Sequence, residues 1–252
     1  GADHPFISAG RIQTAHTPGG TGGLRVGGEF LKKFRPDAAV WVSSPTWANH
    51  QAVFKASGFS IKEYPYYDAT SHSLDFDSLL KSLSMIPAKD IVLLHVCCHN
   101  PTGFDPSREQ WSRIAEVAEA AGWFPFFDFA YQGFGESVEA DRYPLELFAA
   151  KGLEFVVASS FSKNFGLYNE RTGSFSLVAL DREAAAAAFS HVKTTIRTNY
   201  SNPSRHGGAI VEMILGDADL KQEWQQELDA MRKRIHSVRN AFVDGLETRG
   251  GS

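Results

Sequence analysis

Along the chain, short apolar runs of strand length alternate with longer stretches whose apolar residues recur every three or four positions. Residues 38–43, 59–66, 91–97, 123–129, 153–158 and 175–180 read as strands. Residues 24–34, 47–57, about 77–85, 107–121, 184–195 and 220–246 read as helices. End signals agree with this division. Gly58 and Gly122 follow helical stretches, where a left-handed residue closes the last turn. Asp75 or Asp77 caps the segment that runs to Met85. Ser107 and Gln110 form a capping box, and behind it Trp111, Ile114, Ala115, Ala118 and Ala121 share one side. Residues 1–18 show no sustained period and read as irregular and exposed. Strands alternating with helices over most of the length predict an α/β fold, a mostly parallel sheet covered by helices.

Composition narrows the function classes. The 252 residues suffice for one large domain or two small ones; 43% are hydrophobic and 21% charged, as in an ordinary globular chain. A net charge of -4 gives no electrostatic reason to expect nucleic acid or an anionic membrane as partner. No apolar run approaches the length of a membrane span, and no signal peptide is visible at the start. Cys97 and Cys98 are adjacent, which suits a reducing compartment rather than a disulfide framework. His95, Cys97, Cys98 and His99 match no standard zinc spacing and alternate across a predicted strand end, so no metal is expected.

Candidate chemistry gathers where strands end, the edge at which open α/β sheets bind ligands. Asn100, Asp128 and Lys163 each lie at or just after a predicted strand terminus. Lys163 sits among Ser160, Ser162 and aromatic residues, with Arg171 eight positions on. A lone lysine is ordinarily a solvated charge, but a partly buried one has a lowered pKa and acts as an amine nucleophile. Hydroxyls with a guanidinium suit a phosphate. A reactive lysine beside phosphate ligands is what a pyridoxal 5'-phosphate (PLP) enzyme needs. Asp128, flanked by Phe126, Phe127 and Phe129, suits the carboxylate that keeps the cofactor's pyridine nitrogen protonated; the plainer reading is a strand-end turn cap. Asn100 and Tyr131 suit donors to the phenolic oxygen. Gly20 and Thr21 stand where a glycine turn opens a helix, which is either an anion site or a flexible loop. Trp47 either stacks on the cofactor ring or packs in the core.

Several segments carry a resemblance. Ser160-Phe161-Ser162-Lys163-Asn164-Phe165-Gly166-Leu167-Tyr168-Asn169-Glu170-Arg171 resembles the PLP-lysine segment of the aspartate aminotransferase family. Pro18 to Gly22 is similar to that family's phosphate-binding turn, and Trp47-Ala48-Asn49-His50 to its ring-stacking segment. His99-Asn100-Pro101-Thr102-Gly103, Asp128-Phe129-Ala130-Tyr131-Gln132-Gly133 and Arg197-Thr198-Asn199-Tyr200-Ser201-Asn202-Pro203 resemble three further family motifs. The resemblance implies the large domain of a PLP-dependent transferase of fold type I. Lys163, Asp128, Tyr131 and Asn100 would be catalytic. Gly20, Thr21, Trp47, Ser160, Ser162 and Arg171 would help hold PLP, and His50 would support Asp128. It implies that Arg197, with Trp47 and Asn100, binds substrate, and that Arg197 reaches the neighbouring subunit's site in a homodimer with shared active sites. Residues 1–220 would be the cofactor-binding domain. Residues 221–252 would be a long helix leading towards a C-terminal small domain that, like the family's N-terminal segment, is absent from the chain. The implied reaction moves an amino group between L-aspartate or L-glutamate and 2-oxo acids, in the cytoplasm or the mitochondrial matrix. Alternatives are an aromatic amino acid aminotransferase of the same subgroup, or a truncated, inactive PLP-binding domain.

Overall fold

A computed structural model describes residues 4–250. One sheet of seven strands organises them, in the spatial order β1, β9, β8, β7, β6, β2, β3. These are β1 (Ile12–Pro18), β2 (Ala39–Ser44), β3 (Ser60–Pro65), β6 (Ile91–His95), β7 (Phe124–Phe129), β8 (Phe155–Ser160) and β9 (Thr172–Val178). Neighbours from β8 across to β3 pair in parallel. Only β9 runs against the rest, antiparallel to both β8 and β1. The expected mostly parallel α/β sheet is therefore the observed one. A two-stranded ribbon, β4 (Tyr67–Asp68) with β5 (Ser73–Leu74), lies apart.

The helices are α1 (Pro5–Ser8), α2 (Gly19–Phe34), α3 (Asn49–Ala56), α4 (Phe76–Ser84), α5 (Arg108–Ala121), α6 (Tyr143–Ala150), α7 (Arg182–Asn199), α8 (Arg205–Gly216) and α9 (Ala218–Thr248). Successive side chains of β7 go to opposite layers, as a pleated strand requires. Phe126 joins Leu24, Phe30, Phe54, Phe175 and Val192 on the side of α2, α3 and α7. Phe127 joins Leu79, Leu83, Trp111, Ile114 and Phe148 on the side of α4, α5 and α6. Both faces are covered, so the central strands read as continuous apolar runs rather than alternating ones. Helix α2 lies close on the sheet because Gly27 has no Cβ; one there would come within 2.5 Å of Phe126.

The structure corrects the sequence reading in places. Residues 4–18 are not irregular throughout, residues 1–3 of that expectation lying outside the described residues: β1 is a full edge strand and α1 a single turn. Its Thr, His and Gln positions hide the strand, since an edge strand needs little apolar surface. Helix α2 starts at Gly19 rather than Leu24, so the glycine turn is the first turn of the helix. Strand β9 starts at Thr172, ahead of the expected Phe175. Helices α6 and α8 were not anticipated. The first carries Pro144 near its start, and the second opens on Arg205-His206-Gly207-Gly208, which reads as a turn. The capping box of Ser107 and Gln110 is present, and Asp75 rather than Asp77 caps α4.

Candidate functional site

The parallel strands deliver their ends to one edge. Strand β1 hands over to Gly19 and Thr21, β2 to Thr46 and Trp47, β6 to Asn100, β7 to Asp128 and Tyr131, and β8 to Ser162 and Lys163. Because β9 is antiparallel, its beginning, next to Arg171, lies at the same edge. The result is a cavity of about 340 Å³ lined by Gly20, Thr21, Trp47, Asn100, Asp128, Tyr131, Ser160, Ser162, Lys163 and Arg171, together with His95, Cys97 and Tyr168. A second cavity, of about 550 Å³, shares Asn100, Tyr131 and Lys163 and reaches Ile235, His236 and Arg239 of α9. Arg197 lines neither. It is exposed on α7 and donates to the Ser201 hydroxyl.

Lys163 is half-buried, with its Nζ 4.6 Å from the centroid of the Tyr131 ring. Burial pushes its amine below the ordinary lysine range; Asp128 acts in the opposite direction, and Arg171 adds to the lowering. Burial, with the charge of Asp128 behind it, raises the Tyr131 phenol. Asp128 is 8% exposed. Burial alone would raise its carboxyl, but His50 outweighs that, with help from His95 and Lys163, and the carboxyl stays below its ordinary value. The contact responsible is His50 Nε2 to Asp128 Oδ2, at 2.7 Å. It is not a turn cap.

Histidines extend the network behind Asp128, His95 at the cavity wall and His50 and His99 buried. Thr46 Oγ1 lies 2.8 Å from His50 Nδ1 and 3.3 Å from His95 Nε2. His99 contacts Ser43 Oγ and Thr102 Oγ1, each at 2.8 Å, and stacks on Tyr66 at 3.8 Å. Burial holds His95 down to about 4 and His99 to about 2, so both rings are neutral at physiological pH. Thr46, His95 and Tyr168 were missed as site residues. Thr46 and His95 carry no spacing signal of their own, because their place depends on how β2 and β6 pair; Tyr168 lies in the lysine segment after β8, which the resemblance covers without giving this residue a role.

At the other side of the cavity, the first turn of α2 packs on the end of β8. A Cβ on Gly20 would sit 3.0 Å from Ser160 Cβ, and one on Gly19 would sit 2.5 Å from Arg171 Nη2. The opening of the helix is thus bare backbone beside two serines and a guanidinium. Free amides, hydroxyls and a cation at a helix start make a cradle for an anion. Among the described residues no group of three or more His, Cys, Asp and Glu could hold a metal ion, and no helix is long and apolar enough to cross a membrane. Cys97 is buried, Cys98 is half-buried, and both are free thiols.

The sequence and the fold are similar to those of known proteins. The family model for aminotransferase class I and II matches residues 1–252. The chain is 52% identical to an aspartate aminotransferase of Salmonella typhi over 252 residues, all of this chain and 64% of that protein. It is 45% identical to an aromatic-amino-acid aminotransferase of Escherichia coli, over 98% of this chain and 62% of that one. The crystal structure of an aromatic-amino-acid aminotransferase from Burkholderia pseudomallei, covalently bound to pyridoxal phosphate, superposes with a TM-score of 0.97 at 48% identity. That match covers 98% of this chain and 62% of the other. The chain thus spans a little under two thirds of the length of the relatives it matches.

Proposed function

The chain belongs to the class I and II aminotransferase family, and from that premise we propose that it is the cofactor-binding part of a PLP-dependent aminotransferase moving an amino group between L-aspartate or L-glutamate and 2-oxo acids. The observation that carries the reading is one cavity lined by a half-buried lysine, a buried ionised aspartate and an anion cradle of helix-start backbone, serine hydroxyls and a guanidinium.

These residues fit PLP. The α2 amides at Gly20 and Thr21, with Ser160, Ser162 and Arg171, would hold its phosphate. Trp47 would form a wall, Asn100 and Tyr131 would donate to the phenolic oxygen, and Lys163 would hold it covalently. When bound, the group supplies an electron sink for negative charge developing at the substrate's α-carbon. Everything else falls to the protein. Asp128 keeps its charge inside the protein because His50 donates to it. It therefore offers a fixed anion to a protonated ring nitrogen, a charge placed before reaction begins. Lys163, with its amine pulled down by burial, has more of the neutral form that accepts a proton from the substrate's α-carbon. Arg197, outside the cavity in its own chain, would serve a second copy's site in a homodimer with shared active sites. Residues 221–252 would lead towards a small domain, and the protein would work in the cytoplasm.

The direct test uses the full-length protein. Adding PLP should give a visible absorption band, and borohydride reduction followed by peptide mass mapping should place one pyridoxyl group on Lys163. Label spread over surface lysines, with Lys163 unmodified, would sink the assignment. A second reading, preference for aromatic amino acids, is favoured by the Burkholderia pseudomallei enzyme's similarity. Arg197→Ala separates the two. A lost carboxylate–guanidinium pair costs roughly 2–5 kcal/mol, or on the order of 30- to 5,000-fold in kcat/KM for aspartate, with little change for phenylalanine. An unchanged aspartate-to-phenylalanine ratio would remove the dicarboxylate preference.

A further inference from the structure

Helix α9 grips both of the segments that carry the reacting side chains. Three of its residues, four apart, share one face: Trp224, Leu228 and Arg232. The Trp224 indole N–H donates to the backbone carbonyl of Asn164, the residue after Lys163, at 2.7 Å. Its ring stacks on Phe165, with centroids 4.5 Å apart and planes inclined by 20°. Leu228 is 1% exposed and fills the space beside Gly133, where a Cβ would come within 2.3 Å of Leu228 Cδ2. Arg232 Nη1 donates to the Gly133 carbonyl at 2.9 Å, two residues after Tyr131.

A fourth residue ties the two segments to each other. Asn164 is 3% exposed, and its Nδ2 donates to the Gln132 carbonyl at 3.2 Å. Its Oδ1 is buried without a hydrogen-bond partner. An apolar residue would avoid that cost, so its presence calls for a reason, and the link from the Lys163 segment to the Tyr131 segment is one. Nothing in the aminotransferase reading above uses Trp224, Leu228, Arg232 or Asn164.

We infer that the Trp224–Leu228–Arg232 face of α9, acting through Asn164 and Gly133, is a positioning element that sets Lys163 against Tyr131. The backbones on either side of that contact are fixed by side chains from one helix. Moving either segment away from α9 would open the 4.6 Å approach of Lys163 Nζ to the Tyr131 ring and admit water to the amine. The role rests on the aminotransferase reading only in that Lys163 and Tyr131 are the reacting groups.

The test measures the ionisation of Lys163 directly, in full-length protein freed of PLP. Lys163 is acylated at a series of pH values, and the extent at its peptide is read by mass spectrometry. Trp224→Phe keeps a ring for Phe165 but loses the indole donor; Arg232→Met keeps the stem but loses the donor to Gly133. Each should raise the apparent pKa of Lys163 by about half a unit or more as burial is relieved. With PLP restored, each should lower kcat by roughly ten-fold while KM changes by less than about two-fold. Arg232→Lys, which restores a donor, should recover part of both effects. Exposed Glu227 on the same helix supplies the control, and Glu227→Gln should change neither.

A merely structural role predicts something else. Leu79→Val, in the core beneath α4, destabilises the fold without touching α9. If it moves the Lys163 ionisation as far as Trp224→Phe does, or if Trp224→Phe and Arg232→Met leave that ionisation unmoved, the positioning role is wrong. If Trp224→Phe does not fold, Arg232→Met decides on the same readings. Because acylation is read without cofactor, failure of the aminotransferase reading would appear as absent turnover with the ionisation shifts intact.

Discussion

Two buried aspartates stand at opposite edges of the same sheet. Asp90 precedes β6 and is 1% exposed; Asp128 lies near the end of β7 and is 8% exposed. Asp90 Oδ1 accepts from the Ala39 amide at 3.0 Å, Asp90 Oδ2 accepts from the Trp41 indole at 2.9 Å, and Lys62 lies 3.8 Å away. Both oxygens have a donor, and Asp90 lines neither of the two cavities described above. Asp128 has one close partner, His50, and faces a cavity. The first carboxylate closes the start of the sheet by satisfying strand backbone. The second is held ionised yet incompletely satisfied, which is what a group awaiting a ligand must be. Burial alone does not distinguish staple from site; the count of donors and the adjoining space do.

Exchanging each aspartate for alanine sharpens the contrast, and Asp128 carries the larger effect. In the full-length protein Asp128→Ala should cost transamination roughly a thousand-fold or more, about 4 kcal/mol of transition-state stabilisation. Stability should change little by comparison. Near-native turnover would move the charge-holding role elsewhere.

Asp90→Ala should do the reverse. Losing two buried acceptor oxygens strands the Ala39 amide and the Trp41 indole, at roughly 3 kcal/mol in all, read as a lowered urea midpoint. The exposed Lys62 ammonium adds little. Turnover per folded molecule should be unchanged. Lost activity with unaltered stability would make Asp90 part of the site and break the comparison.

The same two edges explain what could be read from the residues alone. The start of the sheet and its two core layers were legible in outline, because Ile91, Phe126 and Val156 sit in apolar runs that a doubly covered sheet demands. The cavity residues were also legible, since Asn100, Asp128 and Lys163 follow those runs at once. What stayed hidden depends on pairing. Strand β1 is one case, because Thr14, His16 and Thr17 give no apolar signal until β9 is beside them. The Thr46 link between His50 and His95 is another, because it joins residues from the ends of β2 and β6. Arg197 was read from a motif as reaching a neighbouring subunit's site; in its own chain it is exposed on α7 and lines neither cavity. Helix α8 was obscured by Gly207 and Gly208, which lower helix propensity; they lie against Thr172 and His16, with no room for a side chain.

The smallest effect per unit change, and the one most specific to the functional edge, is acid sensitivity. His95 and His99 are buried neutral at that edge, held down to about 4 and about 2. An unfolded histidine titrates near its ordinary value of about 6.5. Above that value neither state takes a proton, and these rings make stability independent of pH. As pH falls below about 6.5 the unfolded chain binds protons that the native rings refuse, so native stability declines. The slope is at most about 1.4 kcal/mol per pH unit for each ring. The His95 contribution levels off near pH 4, and that of His99 continues towards pH 2. Asp128, held below the ordinary carboxylate value, begins to lose its share only as pH falls through that ordinary value of about 4. Between about pH 6 and 4.5 both histidines therefore steepen the loss; His16, also lowered by burial, acts in the same direction, and Asp105, raised by burial, acts against it. Urea unfolding at several pH values across that window should give a steeper loss for the wild type than for His99→Asn, the difference approaching about 1.4 kcal/mol per unit. His99→Asn also gives up the contacts to Ser43 and Thr102, but that lowers the whole curve without tilting it, so the slope and not the height is the measurement. Equal slopes would mean that His99 is protonated in the native state, and that the neutral, closed network drawn behind Asp128 is wrong.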